Sequence, residues 1–413
     1  MTNFFSKENG AIKIDGPVIG SPASADMPAS SGQALRALFL GAGTPWVYAL
    51  AESLATQGHQ VGVIAPFDTR TFKRLQPKWP GRQPPVNLQR QFWVYPPGYV
   101  GTLAPLFAPL LRARLNRSFP PATHVEGRNA VPWTIAPYPW AARATRGIPS
   151  HRLVYYNLDD YVLYQPERAA SILSHEGELV RRAALTICLA QTQVDSLRAR
   201  FPERAGSILH FPLGAVENLL NPAPSKVPNG RVVGYIGNLI DRVDWRLVAA
   251  VASRLPDVEF HFIGGLDGFS GGGVVPDWQI DRGKALALPN VRHLGPIGQD
   301  EVGPYYWNFD VNWIPYDLGH AFNQASCPTK IMDGLASGRP VLSSDVPECR
   351  LYPDHLSIFR SVDEAVSQIQ RSLTKSTAAE ACAQVEFVRE RHTWATRAQW
   401  LSERLQSLAS NSS

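Results

Sequence analysis

Lys330 and Asp333 stand three residues apart in the stretch Ser326-Cys-Pro-Thr-Lys-Ile-Met-Asp-Gly-Leu-Ala-Ser-Gly-Arg-Pro-Val-Leu-Ser-Ser-Asp345. Its pattern predicts a loop, a short helix and a buried strand. Pro328 suits the first helical position, where its missing N–H costs nothing, and Ser326 or Cys327 then precedes the helix. Ile331, Met332 and Leu335 give the helix an apolar side. Gly338 is placed to end it in the left-handed conformation, and Val341-Leu342 begins the strand. A helix start near Thr329 leaves backbone N–H groups unpaired and attracts anions. Lys330, in the first turn, opposes the helix dipole unless a phosphate sits there. Asp333, one turn on, shares its side of the helix. A cation for phosphate beside a carboxylate for sugar hydroxyls suits a nucleoside diphosphate and its ribose. The same spacing also suits an ordinary surface ion pair.

A second chemical stretch is Arg152-Leu-Val-Tyr-Tyr-Asn-Leu-Asp-Asp-Tyr161. Leu153 to Tyr156 reads as a strand and Asn157 to Asp160 as the loop at its carboxyl end, where open α/β sheets place ligands. Adjacent carboxylates point different ways, so at most one of Asp159 and Asp160 faces such a site. A carboxylate there is a candidate base for an acceptor hydroxyl; alternatively, the pair caps the next helix.

The elements that must position these groups alternate strand and helix. Leu35 to Leu40, a tight turn Gly41-Ala-Gly-Thr-Pro-Trp46, a helix Val47 to Gln57 and a strand Val61 to Ala65 open a doubly wound fold. The third glycine and the acidic residue of a dinucleotide fingerprint are missing, which argues against a nicotinamide cofactor. Gly43 and Trp46, at the mouth of this unit, are acceptor-side candidates, with a plain turn as the alternative. A second strand and glycine turn, Arg231 to Asn238, opens another α/β unit after a proline-containing segment poor in apolar residues. We expect a flexible tail over 1–33, an N-terminal α/β domain over 34–216, a linker over 217–230, a C-terminal α/β domain over 231–375 and a C-terminal helix over 376–413.

The 413 residues carry 44% hydrophobic and 18% charged side chains, which fits a soluble globular chain of two to three domains. Four cysteines are scattered without metal-ligand spacing, arguing against a disulfide scaffold or a zinc site. No apolar run is long enough to span a bilayer, and no secretory signal is legible. The expected place is therefore the cytoplasm, with peripheral contact at the inner face of the cell membrane. From Thr71 through Val125 there is no Asp or Glu, while Lys73, Arg74, Lys78, Arg82, Arg90, Arg112, Arg114 and Arg117 sit among aromatics. That combination suits anionic lipid headgroups or an elaborated loop and helix packed in its domain. Nothing in it resembles a nucleic-acid module.

Pro328-x-Lys330-x-x-Asp333-Gly-Leu-Ala-x-Gly338-Arg-Pro340-Val resembles the nucleotide-sugar segment of GT-B glycosyltransferases, usually P-x-K-x-x-E-x-L-A-x-G-x-P-V. The resemblance implies two facing Rossmann-like domains with a cleft, and a terminal helix crossing back to the first domain. It places Asp333 at the position of the glutamate that holds the donor ribose, with Lys330, Thr329 and Ser326 near the diphosphate. The family's upstream E-x-F-G run is absent; Phe322-Asn323-Gln324-Ala325 occupies that region. The first loop of the second domain, with Gly237, Asn238 and Arg242, would face the diphosphate, and Tyr316 would be available to the donor. A surface pairing of Arg242 with Asp241 or Asp244 is the alternative. The 152–161 stretch is similar to the Y-x-x-x-D-(D/G) segment of the xanthan-type glucuronosyltransferase and its relatives, which maps the base to Asp159.

These readings imply a metal-independent glycosyltransferase of α/β, GT-B architecture. It would need no cofactor, and would move a sugar from a UDP or GDP sugar to a hydroxyl of a saccharide or lipid-linked saccharide. The alternatives are a catalytically inactive nucleotide-sugar-binding assembly protein and a sugar epimerase of the same fold.

Overall fold

The computed structural model describes residues 34–41, 44–79, 83–97, 106, 109, 110, 113, 131–225, 230–266 and 275–410. The expected tail, Gly43 and the glycine-rich stretch 267–274 lie outside them.

Thirteen strands are described. They are β1 (Arg36–Leu40), β2 (Gln60–Asp68), β3 (Leu88–Tyr95), β4 (Trp133–Ala136), β5 (Leu153–Asn157), β6 (Leu185–Cys188), β7 (Ile208–His210), β8 (Val232–Ile236), β9 (Glu259–Ile263), β10 (Val291–His293), β11 (Val311–Ile314), β12 (Val341–Ser344) and β13 (Ser357–Phe359). One sheet has the order β3-β2-β1-β4-β5-β6-β7 and the other β10-β9-β8-β11-β12-β13. The described registers are parallel. In each sheet the winding direction reverses beside its first strand, at β1/β4 and at β8/β11. Such switch points are where open α/β sheets bind ligands.

The chain divides into two compact units, one of Met1–Tyr155, Arg182–Ala184 and Ala398–Ser413, the other of Tyr156–Arg181 and Leu185–Arg397. In the first, Leu38, Leu40, Ile64, Trp93, Tyr95 and Ala144 pack together. Strands covered on both faces read as near-continuous apolar runs, which is why β1 and β2 were legible. β3 was not: its burial alternates imperfectly, and proline-rich, cationic segments flank it. Phe92, Trp93 and Tyr95, aromatics of the acid-free 71–125 span, thus lie in a paired strand. Trp93 and Tyr95 are buried. Phe92 is half-buried and stacks on Trp79 with ring centroids 4.4 Å apart.

In the second unit, Val233 and Tyr235 of β8, Trp245, Val248 and Val251 of the Trp245–Arg254 helix, and Trp313 and Leu342 of β11 and β12 share one core. Ile331, Met332 and Leu335 join it from the Thr329–Ala336 helix. That helix starts one residue later than expected: Pro328 is its N-cap, with φ −67° and ψ 125°, and not its first helical residue. Gly338 follows the helix at φ +70°, and a Cβ there would stand 2.8 Å from the Ala381 carbonyl oxygen. Conformation and packing both demand glycine.

One terminal helix is expected over 376–413, but the structure has two, Ala378–Arg391 and Trp394–Ser410. The break lies where the backbone turns outward to pair. Ala215 donates its N–H to the His392 carbonyl at 2.8 Å, and Trp394 donates to the Ala215 carbonyl at 3.0 Å. Both bonds are incompatible with a continuous helix at Thr393.

Candidate active site

The candidate groups collect at the β8/β11 switch point of the second unit. β8 ends at Ile236 and turns at Gly237, whose φ is +151°. β11 ends at Ile314 and delivers Tyr316, which is buried. Lys330, from the first turn of the Thr329–Ala336 helix, reaches into this gap. Its Nζ lies 5.0 Å from the Tyr235 ring centroid and 5.6 Å from that of Tyr316.

Arg242 comes from the loop after β8 and lies over the same Tyr316 ring at 5.1 Å. Its Nε donates to Asn323 Oδ1 at 2.8 Å and its Nη2 to Ser326 Oγ at 2.7 Å. Asn323 Nδ2 returns a bond to the Arg242 carbonyl at 2.9 Å. The alternative pairings of Arg242 do not describe the loop: Asp241 lies 3.4 Å from His320, and Asp244 accepts from the Leu247 N–H to cap the following helix. Burial pushes the Tyr316 hydroxyl up, but Lys330 and Arg242 together bring it below the usual tyrosine value. Two cations thus face one enclosed hydroxyl, a setting favourable to an added anion.

Asp333 is half-buried. Burial raises its carboxyl to about 7, against the opposing pull of Lys330 and a hydrogen bond from the Thr329 side chain. The structure therefore brings together Gly237, Arg242, Tyr316, Ser326, Thr329, Lys330 and Asp333. Asn238 sits just beyond, with an exposed side chain, and its carbonyl accepts from the Tyr235 hydroxyl at 3.3 Å. Trp46 is half-buried in the first turn of the Pro45–Thr56 helix of the other unit.

Asp159 and Asp160 follow β5, and their side chains diverge. Asp160 is the N-cap of the short Tyr161–Tyr164 helix and accepts from the Val162 N–H at 3.0 Å. Asp159 accepts from the Asp160 N–H at 3.0 Å through Oδ1 and from the Tyr164 hydroxyl at 2.6 Å through Oδ2. Burial raises the Asp159 carboxyl; the Tyr164 hydroxyl, the Asp160 N–H and the Arg242 charge oppose that rise. The electrostatic influence of Arg242 links this carboxylate to the cationic group around Tyr316. Sequence reading missed Tyr164 and Asn323. Tyr164 follows Asp159 at a spacing with no signature, and Asn323 contacts Arg242 from 81 residues away.

Residues 242–403 match the family model described as glycosyl transferase-like, a span that begins at Arg242 and contains Tyr316, Ser326, Thr329, Lys330 and Asp333. TuaH of Bacillus subtilis (strain 168), named for a proposed role as a teichuronic acid biosynthesis glycosyltransferase, is 31% identical over 191 residues. That is 44% of this chain and 45% of TuaH, so the match spans about half the length of this curated relative. The crystal structure of Anabaena HepE in complex with UDP superposes with a TM-score of 0.66 at 19% identity, covering 90% of this chain and 100% of HepE. Sucrose-phosphate synthase of Thermosynechococcus elongatus superposes with a TM-score of 0.63 at 17% identity, covering 92% of this chain and 100% of the synthase. The fold is GT-B, with two Rossmann-like parallel-sheet domains. The resemblance to GT-B glycosyltransferases extends from the 328–341 motif to the architecture as a whole.

Proposed function

We propose that the protein is a glycosyltransferase that moves a sugar from a nucleoside diphosphate sugar to a hydroxyl of a saccharide or lipid-linked saccharide in polysaccharide or glycolipid synthesis. One observation carries the reading: Lys330 and Arg242 converge on Tyr316 at a switch point, with Asp333 one turn from Lys330. In this reading the diphosphate lies against Lys330, Arg242, Ser326 and the helix start at Thr329, and Gly237, by lacking a side chain, leaves room for the Lys330 ammonium. Asp333 accepts from the ribose hydroxyls. HepE is seen in complex with UDP, and TuaH carries a name that proposes a role in teichuronic acid biosynthesis, so uridine is the base, and a polysaccharide precursor the acceptor, to test first.

The chemistry assigned to these groups is an inverting displacement. Asp159 takes the proton of the acceptor hydroxyl. The freed oxygen bonds to the anomeric carbon, and the bond to the diphosphate oxygen breaks, its electron pair leaving with the diphosphate. Lys330 and Arg242 stabilise the charge that develops there, a role that fixed cations fill without a metal. The 34–216 portion is proposed to present the acceptor, with Gly43 and Trp46 at its mouth. Peripheral contact with an anionic membrane through the 71–125 span belongs to the same proposal.

The test is calorimetry with UDP and uridine on native protein and on Lys330→Ala. The lysine loss should cost UDP about 1.5–3 kcal/mol, the worth of a charge-assisted contact, and leave uridine nearly unchanged. Equal losses for both ligands would remove Lys330 from the diphosphate site. Transfer to a defined acceptor with inversion at the anomeric carbon would then separate the transferase from an epimerase or a binding protein.

A further inference from the structure

Tyr164 and Phe322 connect the two halves of this site in a way the proposed reaction does not yet use. The Tyr164 hydroxyl donates to Asp159 Oδ2 at 2.6 Å. Its ring lies against Phe322, centroids 4.3 Å apart and planes inclined at 56°. Phe322 belongs to the Ala321–Ala325 helix, and the next residue, Asn323, makes the two-way clasp with Arg242. Neighbouring residues of one helical turn thus hold the aromatic donor to Asp159 and the cation assigned to the diphosphate. Tyr164 is 47% exposed, and its ring contacts Tyr161 and Phe322. It is too exposed for burial alone to account for a tyrosine there.

We propose that Tyr164, steadied by Phe322, is a positioning residue that keeps the Asp159 carboxylate ionised and aimed; the proposal rests on Asp159 being the base. A hydrogen-bond donor to a carboxylate favours the charged form, while burial favours the neutral one. The groups facing Asp159 are Tyr164 from the helix that follows it, the neighbouring Asp160, and Arg242 from the loop after β8. Arg242, Tyr164 and the Asp160 N–H act in the same direction, the Asp160 carboxylate against them. Each Asp159 oxygen is met by one donor, which leaves lone-pair capacity for an acceptor hydroxyl. With the phenol in place the carboxylate is fixed by two donors at once. Without it, the side chain keeps only the Asp160 N–H.

The experiment compares Tyr164→Phe and Phe322→Leu with native protein, using carbon-13 carboxyl titration of Asp159, assigned with Asp159→Asn, and the pH profile of UDP-sugar turnover. For Tyr164→Phe, the Asp159 titration should move to higher pH. Turnover should fall about tenfold at the acid end of the profile and recover toward its alkaline end, as for a base that must be ionised. Phe322→Leu should do the same to a smaller degree. UDP affinity should hold within about twofold in both variants, because neither side chain is assigned to the donor. An unmoved Asp159 titration in Tyr164→Phe overturns the inference and leaves the base assignment standing. Near-native turnover in Asp159→Asn removes the base itself, and the inference with it, even if the titration moves.

Discussion

The Lys330 ammonium occupies the space that a side chain on Gly237 would need: a Cβ at that position would stand 2.5 Å from Nζ. Gly237 also has φ +151°, a conformation that side-chain-bearing residues rarely adopt. Gly237→Ala must therefore displace the lysine or the turn after β8. UDP affinity should fall at least about tenfold, the scale of one lost charge-assisted contact. Gly206→Ala, where a Cβ meets nothing within 4 Å, is the control and should bind normally. Calorimetry in which both variants bind like native protein would mean that the lysine is not held in place by this turn.

Asp333 ties stability to pH. Its folded value, about 7, lies above the ordinary 3.8, so the folded state binds the proton more tightly. The stability tied to that proton is fully present below 3.8 and is lost as pH rises toward about 7. Asp333→Asn abolishes this dependence. The ligand-free variant should gain melting temperature over native protein at neutral pH, and gain least in acid, while binding UDP more weakly. Thermal unfolding of both proteins across this range is the check; a constant offset at every pH would contradict the assignment.

Asp159 and Asp160 should separate by kind of defect. Asp159→Asn should lower turnover by about 10²–10⁴-fold with little change in UDP affinity, the pattern of a group used in the transition state. Asp160→Asn retains a side chain able to cap the Tyr161–Tyr164 helix, so turnover should stay close to native. Asp160→Ala removes the cap and should cost about 1 kcal/mol of stability. Steady-state kinetics and thermal unfolding on the three variants read both effects. Loss of activity in Asp160→Asn with a normal Asp159→Asn would exchange their roles.

The cationic part of the 71–125 span makes the membrane proposal measurable. Lys73, Arg74 and Lys78 are exposed beside the half-buried Phe72 and Trp79. Cosedimentation with vesicles containing anionic lipid should exceed that with neutral vesicles and fall as salt rises. Reversing the three charges with Lys73→Glu, Arg74→Glu and Lys78→Glu together should abolish the difference. Among the described residues no helix is long and apolar enough to cross a membrane. Binding indifferent to lipid charge and to salt would leave these cations to solvent.

What is local was legible in the order of the residues. Proline and glycine punctuate the 328–341 motif, and its apolar residues repeat at helical spacing, so the helix, the strand and the side shared by Lys330 and Asp333 were legible without coordinates. Apolar runs likewise announced β1, β2, β5, β8 and β12, because burial on both faces leaves few polar positions. Tertiary structure decided the rest. β3 became a strand by pairing with β2, despite its mixed pattern. The terminal helix broke at Thr393 because the backbone there pairs with Ala215, a long-range contact that side-chain periodicity does not encode. Tyr164 meeting Asp159, and Asn323 clasping Arg242, were likewise invisible, since each depends on the backbone placing two side chains within hydrogen-bond distance. Spacing named Asp159 and Asp160 together. The direction each carboxylate takes, one into a helix cap and one toward Tyr164, is set by the chain's turn after β5.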